Sequence, residues 1–447
     1  MRFNNYRPVS LLSIFSKIFE KAMYNRMISF LEEQKILYEK QFGFRKKHST
    51  YMPLVLLVDK LVKAMENGDF VIGIFLDFSK AFDTVDHKIL LAKLYHYGIR
   101  GIALDWFTSY LENRKQFVTY NGASSSMGTV KCGVPQGSIL GPILFLIYIN
   151  DLVQVCKSSS PYLFADDTNL FSSGNNIKSI ADTVNSELED ISLWLKVNKL
   201  SLNIKKTHYM VFTSRRTVDK VSIFIDGHPI GEVKKTKFLG VHIDNKLTWK
   251  EHIRHIEGKV ARGIGIITKS RKVLNSKALK TLYYSLVYPY FSYCNHIWGG
   301  AVAKTLRKLV LLQKRAVRTI CSAKYRDHTE PLMEKLGLLH LYDVNLYVNA
   351  KFMYNWHHKL LPQVFEDSFV LVSDIHDKET RQSANKNLFP PKFRNDRGQN
   401  SYTYRCTILW NRILNIKINP DVSEAVFCKS IKQCIKVGLL KNVKYTT

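Results

Sequence analysis

Pro161-Tyr162-Leu163-Phe164-Ala165-Asp166-Asp167-Thr168-Asn169-Leu170-Phe171 places two adjacent carboxylates inside a strand-like apolar segment. Burying one ionised carboxylate is costly, and a second beside it adds like-charge repulsion, so the pair requires a cation or a wet, functional cleft. A short hairpin turn meets that requirement by lifting both side chains out of the sheet at one point. The competing reading is an Asp-rich turn that merely links two strands.

With 447 residues, 46% of them hydrophobic, the chain can bury at least one large core and is expected to form two or three domains. Lys plus Arg number 66 against 37 Asp plus Glu, a formal charge of +29, which favours a polyanion or an anionic membrane surface as partner. No membrane association is expected: the longest nearly continuous apolar run, Ile139 to Ile149, is far shorter than the ~20 residues of a spanning helix, and Gly141-Pro142 interrupts it. The start, Met1-Arg2-Phe3-Asn4-Asn5, is polar rather than a secretory h-region. Seven scattered cysteines without a Cys-x-x-Cys pair point to a reduced intracellular protein, nuclear or cytoplasmic rather than secreted, and do not suit a zinc site.

Residues 1 to about 70 read as mostly helical, with Leu54, Leu57, Val58, Leu61, Val62 and Met65 at helical spacing. Phe70 to Leu76 is a strand-like run ending at Asp77, and Phe78 to His87 has turn and helix-start chemistry ahead of a helix expected over Lys88 to Tyr97. Phe117 to Val130 reads as a hairpin with a Gly-Ala-Ser-Ser-Ser tip, Ile177 to Val197 as an amphipathic helix, and Tyr209 to Phe212 and Val221 to Ile225 as strands. From about Leu247 the pattern is helical and basic. Ten basic residues face only Glu251 and Glu257 between Lys246 and Lys280, and eight face no acid between Lys304 and Arg326. On a helix through Leu306 to Ile320, Leu309, Leu312, Ala316, Val317 and Ile320 share one face, with Arg307, Lys308, Lys314, Arg315 and Arg318 opposite. A solvated face needs only mixed charge, so the lack of acids favours nucleic acid.

Asp77 ends one strand as Asp166 and Asp167 end another, and the three carboxylates meet if those strands are neighbours in one sheet. Such a cluster suits Mg²⁺, and two ions about 3.5–4 Å apart activate an attacking hydroxyl and stabilise a leaving pyrophosphate. Gly133-Val134-Pro135-Gln136-Gly137-Ser138-Ile139-Leu140-Gly141-Pro142 adds a glycine-flanked Gln whose backbone can approach a ligand, and Ser138 can cap the apolar helix that follows to Asn150.

Asn5-Tyr6-Arg7-Pro8-Val9-Ser10-Leu11-Leu12, Gln41-Phe42-Gly43-Phe44-Arg45 with His48-Ser49-Thr50, Asp77 to Asp86, Gly133 to Gly141, Phe164 to Asp167, Asn203-Ile204-Lys205-Lys206-Thr207 and Phe238-Leu239-Gly240 follow one another in this order. Together they resemble, over nearly the whole chain, the reverse transcriptases of non-LTR retrotransposons, and in particular the jockey-like group. The resemblance implies an α/β (α+β) right-hand polymerase fold with an antiparallel palm sheet: fingers and palm over residues 1–245, a helical thumb over 246–337, and a basic, mostly helical carboxy-terminal region over 338–447. It implies an RNA-directed DNA polymerase that extends a DNA primer on an RNA template with deoxynucleoside triphosphates, using two Mg²⁺ ions for which Mn²⁺ can substitute.

By the same resemblance, Asp77, Asp166 and Asp167 are the catalytic metal ligands, with the carbonyl of Phe78 as a further ligand. Arg45 holds the incoming triphosphate through its planar, permanently charged guanidinium. Gln136 and Gly137 line the nucleotide pocket, and Lys206, or Lys205 in its place, protonates the leaving pyrophosphate. Phe238-Leu239-Gly240 is the primer grip, although Phe238 and Leu239 also suit a core. Phe82, five residues after Asp77, stands where deoxynucleotide polymerases set a ring against the 2′-hydroxyl position. Ala165 stands where RNA-dependent RNA polymerases tend to place Gly.

The chain begins inside the first of these motifs with no endonuclease domain before it, so a truncated copy that extends a supplied primer without cutting DNA is expected. Cys428 and Cys434 lack partners at zinc-knuckle spacing. Template capture then falls to the basic helices and to Lys392 to Arg412, with Arg394, Arg397, Tyr402, Tyr404, Arg405 and Trp410, where Leu409 and Trp410 suit a core equally well. The alternatives are a catalytically inactive nucleic-acid-binding relic, disfavoured by the intact Asp77, Asp166, Asp167, Arg45 and Gln136, and a maturase-like protein, whose extra domain is not seen after Gly240.

Overall fold

A computed structural model describes residues 9–375, 386–393 and 396–440. Asn5 to Pro8, Arg394 and the side chain of Arg397 lie outside the described set. The chain forms two compact units. One takes the residues up to His48 with Phe70–Val211 and Arg216–Val233; the other takes Ser49–Asp69, Phe212–Arg215 and the residues from Lys234 on.

The first unit is built on a six-stranded sheet in the order Ser160–Phe164, Asp167–Gly174, Phe70–Leu76, His208–Phe212, His228–Glu232, Ile223–Ile225. Phe70–Leu76 is apolar throughout and every residue of it is buried, as a central strand covered on both faces requires. It runs antiparallel to Asp167–Gly174, from Phe70 opposite Gly174 to Leu76 opposite Thr168. The helix Ile177–Val197 packs on this sheet through Ile180, Val184, Leu188, Ile191 and Leu195. Asn176 caps it by accepting hydrogen bonds from the amides of Lys178 and Ser179.

The apolar run seen in the sequence is a core helix, Gly141–Ile149, in which every residue but Pro142 is buried. Its start is capped twice. Ser138 Oγ accepts the Gly141 amide at 2.8 Å, and the buried carboxylate of Glu20 accepts the Ile139 amide at 2.7 Å and the Leu140 amide at 3.3 Å. An anionic oxygen at the positive end of a helix satisfies donors that otherwise have no partner.

The hairpin expected over Phe117 to Val130 forms, but its tip is Asn121-Gly122 rather than the Gly-Ala-Ser-Ser-Ser run. Tyr120 pairs with Ala123 and Gln116 with Gly128, so Ser124 and Ser125 belong to the returning strand. Asn121 and Gly122 have φ of 48° and 81°, the left-handed pair that the tightest hairpin turn demands.

The second unit is largely helical. It includes Tyr51–Glu66 together with Lys250–Ser270, Ser276–Leu286, Ala303–Ile320, Leu341–His357, Tyr402–Asn415 and Glu424–Lys436. Ala303–Ile320 buries Leu306, Leu309, Ala316, Val317 and Ile320 and leaves Arg307, Lys308 and Arg315 exposed, as its periodicity predicts. Gln313 on the buried side donates to Tyr283 Oη at 2.9 Å and Leu339 O at 2.8 Å and accepts the Leu341 amide at 3.0 Å.

Among the described residues of Lys392 to Arg412, Tyr402, Arg405 and Trp410 are not available for the base stacking expected of them. They are 3%, 1% and 2% exposed. Tyr402 packs edge-on against Phe352, with ring centroids 5.0 Å apart, and the Arg405 guanidinium is spent on internal carbonyl oxygens. No helix among the described residues is long and apolar enough to cross a membrane.

Burial pushes the imidazoles of His252 and His296 down to about 3; the neighbouring rings of His242 and His255 add to the shift at His252, and the Arg405 charge adds to it at His296. Both stay neutral in the fold while the unfolded chain takes up protons below about pH 6.5, so stability is full above that value and falls as the pH drops through the window down to about 3. Acidifying from pH 7 to 5 is expected to destabilise this unit by about 2 kcal/mol per histidine. Urea midpoints that stay level between those pH values would contradict this.

Candidate active site

Asp166 and Asp167 sit where two strands of the first unit reverse. Phe164 pairs with Asp167 across the hairpin, leaving Ala165-Asp166 as a two-residue turn. Asp166 is half-buried and Asp167 exposed, so neither carries the full cost of a buried charge. The third carboxylate arrives through the sheet. Because Leu76 lies opposite Thr168, Asp77 leaves its strand one step beyond that pair, on the side where Asp167 begins its own. In an antiparallel ladder, opposed residues present their side chains to the same face.

The Asn203 to Thr207 motif is wrapped around Asp77. The Asn203 amide donates to Asp77 O at 2.7 Å, the Asp77 amide donates to Thr207 Oγ1 at 3.3 Å, and the neighbouring Phe78 bridges to Leu202. This wrapping brings Lys206 Nζ to 3.7 Å from Asp77 Oδ2, with the lysine 70% and the aspartate 43% exposed. At that exposure the pair contributes little to stability. It sets an exposed ammonium beside a carboxylate. Asp77, Asp166, Asp167 and the carbonyl of Phe78 offer only oxygen donors, the set that suits a hard divalent cation such as Mg²⁺. Among the described residues, however, the three carboxylates do not bring one oxygen each within 4.8 Å of one another.

Phe82 lies in the short helical turn Ala81–Asp83 that follows Asp77, and its ring stacks on Phe145 of the buried helix at 4.4 Å. Phe44 meets the Phe82 ring edge-on at 6.2 Å. The Gly133 loop is fastened to this turn: the Val134 amide donates to Phe82 O at 2.9 Å, the Gly133 amide to Val85 O at 2.7 Å, and Gln136 Nε2 to Asp83 Oδ1 at 2.8 Å. Gly133 has φ of 86°, and a Cβ on it would meet Asp83 O at 2.7 Å, so glycine is required there. Asp83 is therefore the partner that orients Gln136. Gly137 is covered by Ser10, whose amide donates to Gln136 O at 2.7 Å.

Arg45 is engaged elsewhere. Its guanidinium forms a two-pronged pair with Glu32, Nε to Oε1 at 3.0 Å and Nη2 to Oε2 at 2.7 Å, and donates to Tyr38 O at 3.0 Å. Phe238-Leu239-Gly240 belongs to the second unit. There Leu239-Gly240 is the turn of the hairpin Lys235–Phe238 with Val241–Asp244, Phe238 is buried, and Tyr293 Oη donates to Leu239 O at 2.6 Å. The same unit holds a group not picked out from the sequence: His357, His358 and Asp421 bring one ligand atom each within 4.8 Å of one another. His357 Nε2 lies 2.9 Å from Asp421 Oδ1, and that contact holds the Asp421 carboxyl below the usual carboxylate range.

Residues 3–243, more than half of the chain, match the family described as Reverse transcriptase (RNA-dependent DNA polymerase). The chain belongs to the reverse transcriptase family. It is 30% identical over 347 residues to the probable RNA-directed DNA polymerase from transposon X-element of Drosophila melanogaster, covering 76% of this chain and 38% of that protein. To the RNA-directed DNA polymerase from mobile element jockey of the same organism it is 30% identical over 361 residues, covering 78% of this chain and 39% of that protein. The likeness to the jockey-like group read from the motifs is thereby borne out, and the chain spans about two fifths of the length of the curated relatives it matches. The solved apo telomerase from Candida tropicalis matches at a TM-score of 0.38 and 10% identity, over 76% of this chain and 60% of that one, too distant to assign a fold.

Proposed function

We propose that this reverse transcriptase-family chain is an RNA-directed DNA polymerase that extends a DNA primer on an RNA template with deoxynucleoside triphosphates. The observation that carries the proposal is the register of Phe70–Leu76 against Asp167–Gly174, which brings Asp77 to the end of the sheet where Asp166 and Asp167 turn. Asp77, Asp166, Asp167 and the carbonyl of Phe78 would hold two Mg²⁺ ions, which when bound activate the primer hydroxyl and stabilise the leaving pyrophosphate. Lys206, whose ammonium lies 3.7 Å from Asp77, would give its proton to that pyrophosphate, with Lys205 as the alternative donor. Gln136, oriented by Asp83, and Gly137 line the nucleotide site. Arg45 reaches a triphosphate by exchanging Glu32 for phosphate oxygens, which present the same two-pronged geometry to a guanidinium.

The first unit then supplies fingers and palm of a right-hand polymerase. In the second, Leu239-Gly240 serves as primer grip and the basic helices from Lys250 as the thumb on nucleic acid. Primer extension on an RNA template in Mg²⁺ tests the reading; synthesis no greater than that of Asp77→Asn would leave only a nucleic-acid-binding protein.

Phe82 acts as the sugar filter, its ring fixed between Phe145 and Phe44. Phe82→Ala is expected to raise the ratio of ribonucleotide to deoxynucleotide incorporation by on the order of tenfold, since the ring would otherwise clash with a 2′-hydroxyl. Competition between ATP and dATP in single-nucleotide extension measures the ratio, and an unchanged value would remove Phe82 from this role.

A further inference from the structure

The turn that carries Asp166 is held from outside its own hairpin. Ala165 has φ of 55°, a left-handed conformation unfavourable for any residue with a Cβ. The side chain of Gln41 is 2% exposed, and its Oε1 accepts hydrogen bonds from the amide of Ala165 at 3.0 Å and of Gly43 at 2.9 Å. Its Nε2 is buried and makes no hydrogen bond, so the side chain works through its oxygen alone.

The surrounding backbone supports the same contact. Gln41 bridges in parallel to Leu163, the Phe42 amide donates to Leu163 O at 2.8 Å, and the Leu163 amide donates to Lys40 O at 3.0 Å. Gly43 lies so close that a Cβ on it would come within 2.3 Å of the Ala165 nitrogen. The next residue, Phe44, is the one whose ring edge meets Phe82. One short loop thus touches both the carboxylate turn and the proposed sugar filter.

We infer that Gln41 is a positioning residue of this site: its side-chain oxygen fixes the Ala165 amide and so sets the direction in which Asp166 leaves the turn. The inference rests on the proposed reading of Asp166 as a metal ligand. Without that acceptor, the amides of Ala165 and Gly43 are left buried and unpaired, the left-handed turn relaxes, and Asp166 no longer points one way. Partners that orient metal ligands commonly govern metal affinity by 10–100-fold, roughly the range expected here.

The full chain is titrated with Mn²⁺ by electron paramagnetic resonance, alongside hydrogen exchange of the segment containing the Ala165 amide. Gln41→Met, which keeps length and loses the oxygen, is expected to weaken Mn²⁺ binding about tenfold. It should also accelerate exchange at Ala165 and raise the Mg²⁺ needed for half-maximal extension, with the nucleotide KM unchanged at saturating metal. Gln41→Glu keeps an acceptor oxygen and should restore binding and protection. Gln41→Met with wild-type Mn²⁺ affinity and wild-type exchange would overturn the inference, as would a folded Gln41→Glu no better than Gln41→Met. Equal Mn²⁺ binding by wild type and Asp166→Asn is a separate outcome, which sinks the metal reading and the inference with it.

Discussion

Asp166→Asn is expected to lower Mg²⁺-dependent DNA synthesis on a primed RNA template by on the order of 10³-fold, about 4 kcal/mol of transition-state stabilisation, while leaving the melting temperature close to wild type. Asparagine keeps the shape of the side chain and removes only the anionic oxygen that a divalent ion requires. Asp166 stands half-buried on a two-residue turn rather than in the core, where an uncharged side chain of the same shape fits. Asp77→Asn should act similarly and in addition leave Lys206 without its neighbour. Quantitative primer extension with both variants settles the matter, and residual activity within tenfold of wild type would remove these residues from catalysis.

A second large effect is expected in the second unit. Arg405→Met should destabilise it by about 3 kcal/mol, because three neutral acceptors lose a charged donor at roughly 1–3 kcal/mol each, partly offset by no longer burying the guanidinium charge. The guanidinium is 1% exposed and donates to Asn400 O at 3.0 Å, to Asn345 Oδ1 at 2.9 Å and to the carbonyl of His296. Asn345 in turn donates to Asn295 O at 2.8 Å and Oδ1 at 2.7 Å. Gly300 leaves room for the arginine, since a Cβ there would lie 2.8 Å from its Cζ. Methionine fills much of the volume but takes this donor from the carbonyls of Asn400 and His296 and leaves Asn345 Oδ1 with Asn349 Nδ2 at 3.2 Å. Calorimetric unfolding measures the loss, and a value under about 1 kcal/mol would mean that the network is dispensable.

These two residues mark what could and could not be read from sequence. The strands on either side of Asp166 and the strand ending at Asp77 were legible because each is a short apolar run interrupted by acids where no acid belongs in a core. The helix Ile177–Val197 was legible from its period, and its observed ends coincide with those expected. Arg405 was not legible. Aromatics alternating with arginines suit a base-stacking surface and a buried network alike, and what decides is Asn345, 60 residues away. Arg45 is similar, since its phosphate-binding pattern says nothing of the pair it makes with Glu32. Gln41 sat inside a recognised motif, yet its partner lies 124 residues further on, so only the folded chain reveals the contact. At the hairpin tip the signal was present: Asn121-Gly122 is a strong two-residue turn, and the polar run after it drew the reading one step too far.

The helix Tyr51–Glu66 belongs to the second unit although the residues on both sides of it belong to the first. Leu54, Leu57, Val58 and Leu61 are buried in it, and Asp59 on the same helix accepts the amide of Thr403, 344 residues later. During synthesis this apolar face leaves the ribosome long before the helix that covers it exists. Folding of the second unit is therefore tied to completion of the chain, and a ribosome that stalls early leaves a sticky helix for chaperones to hold.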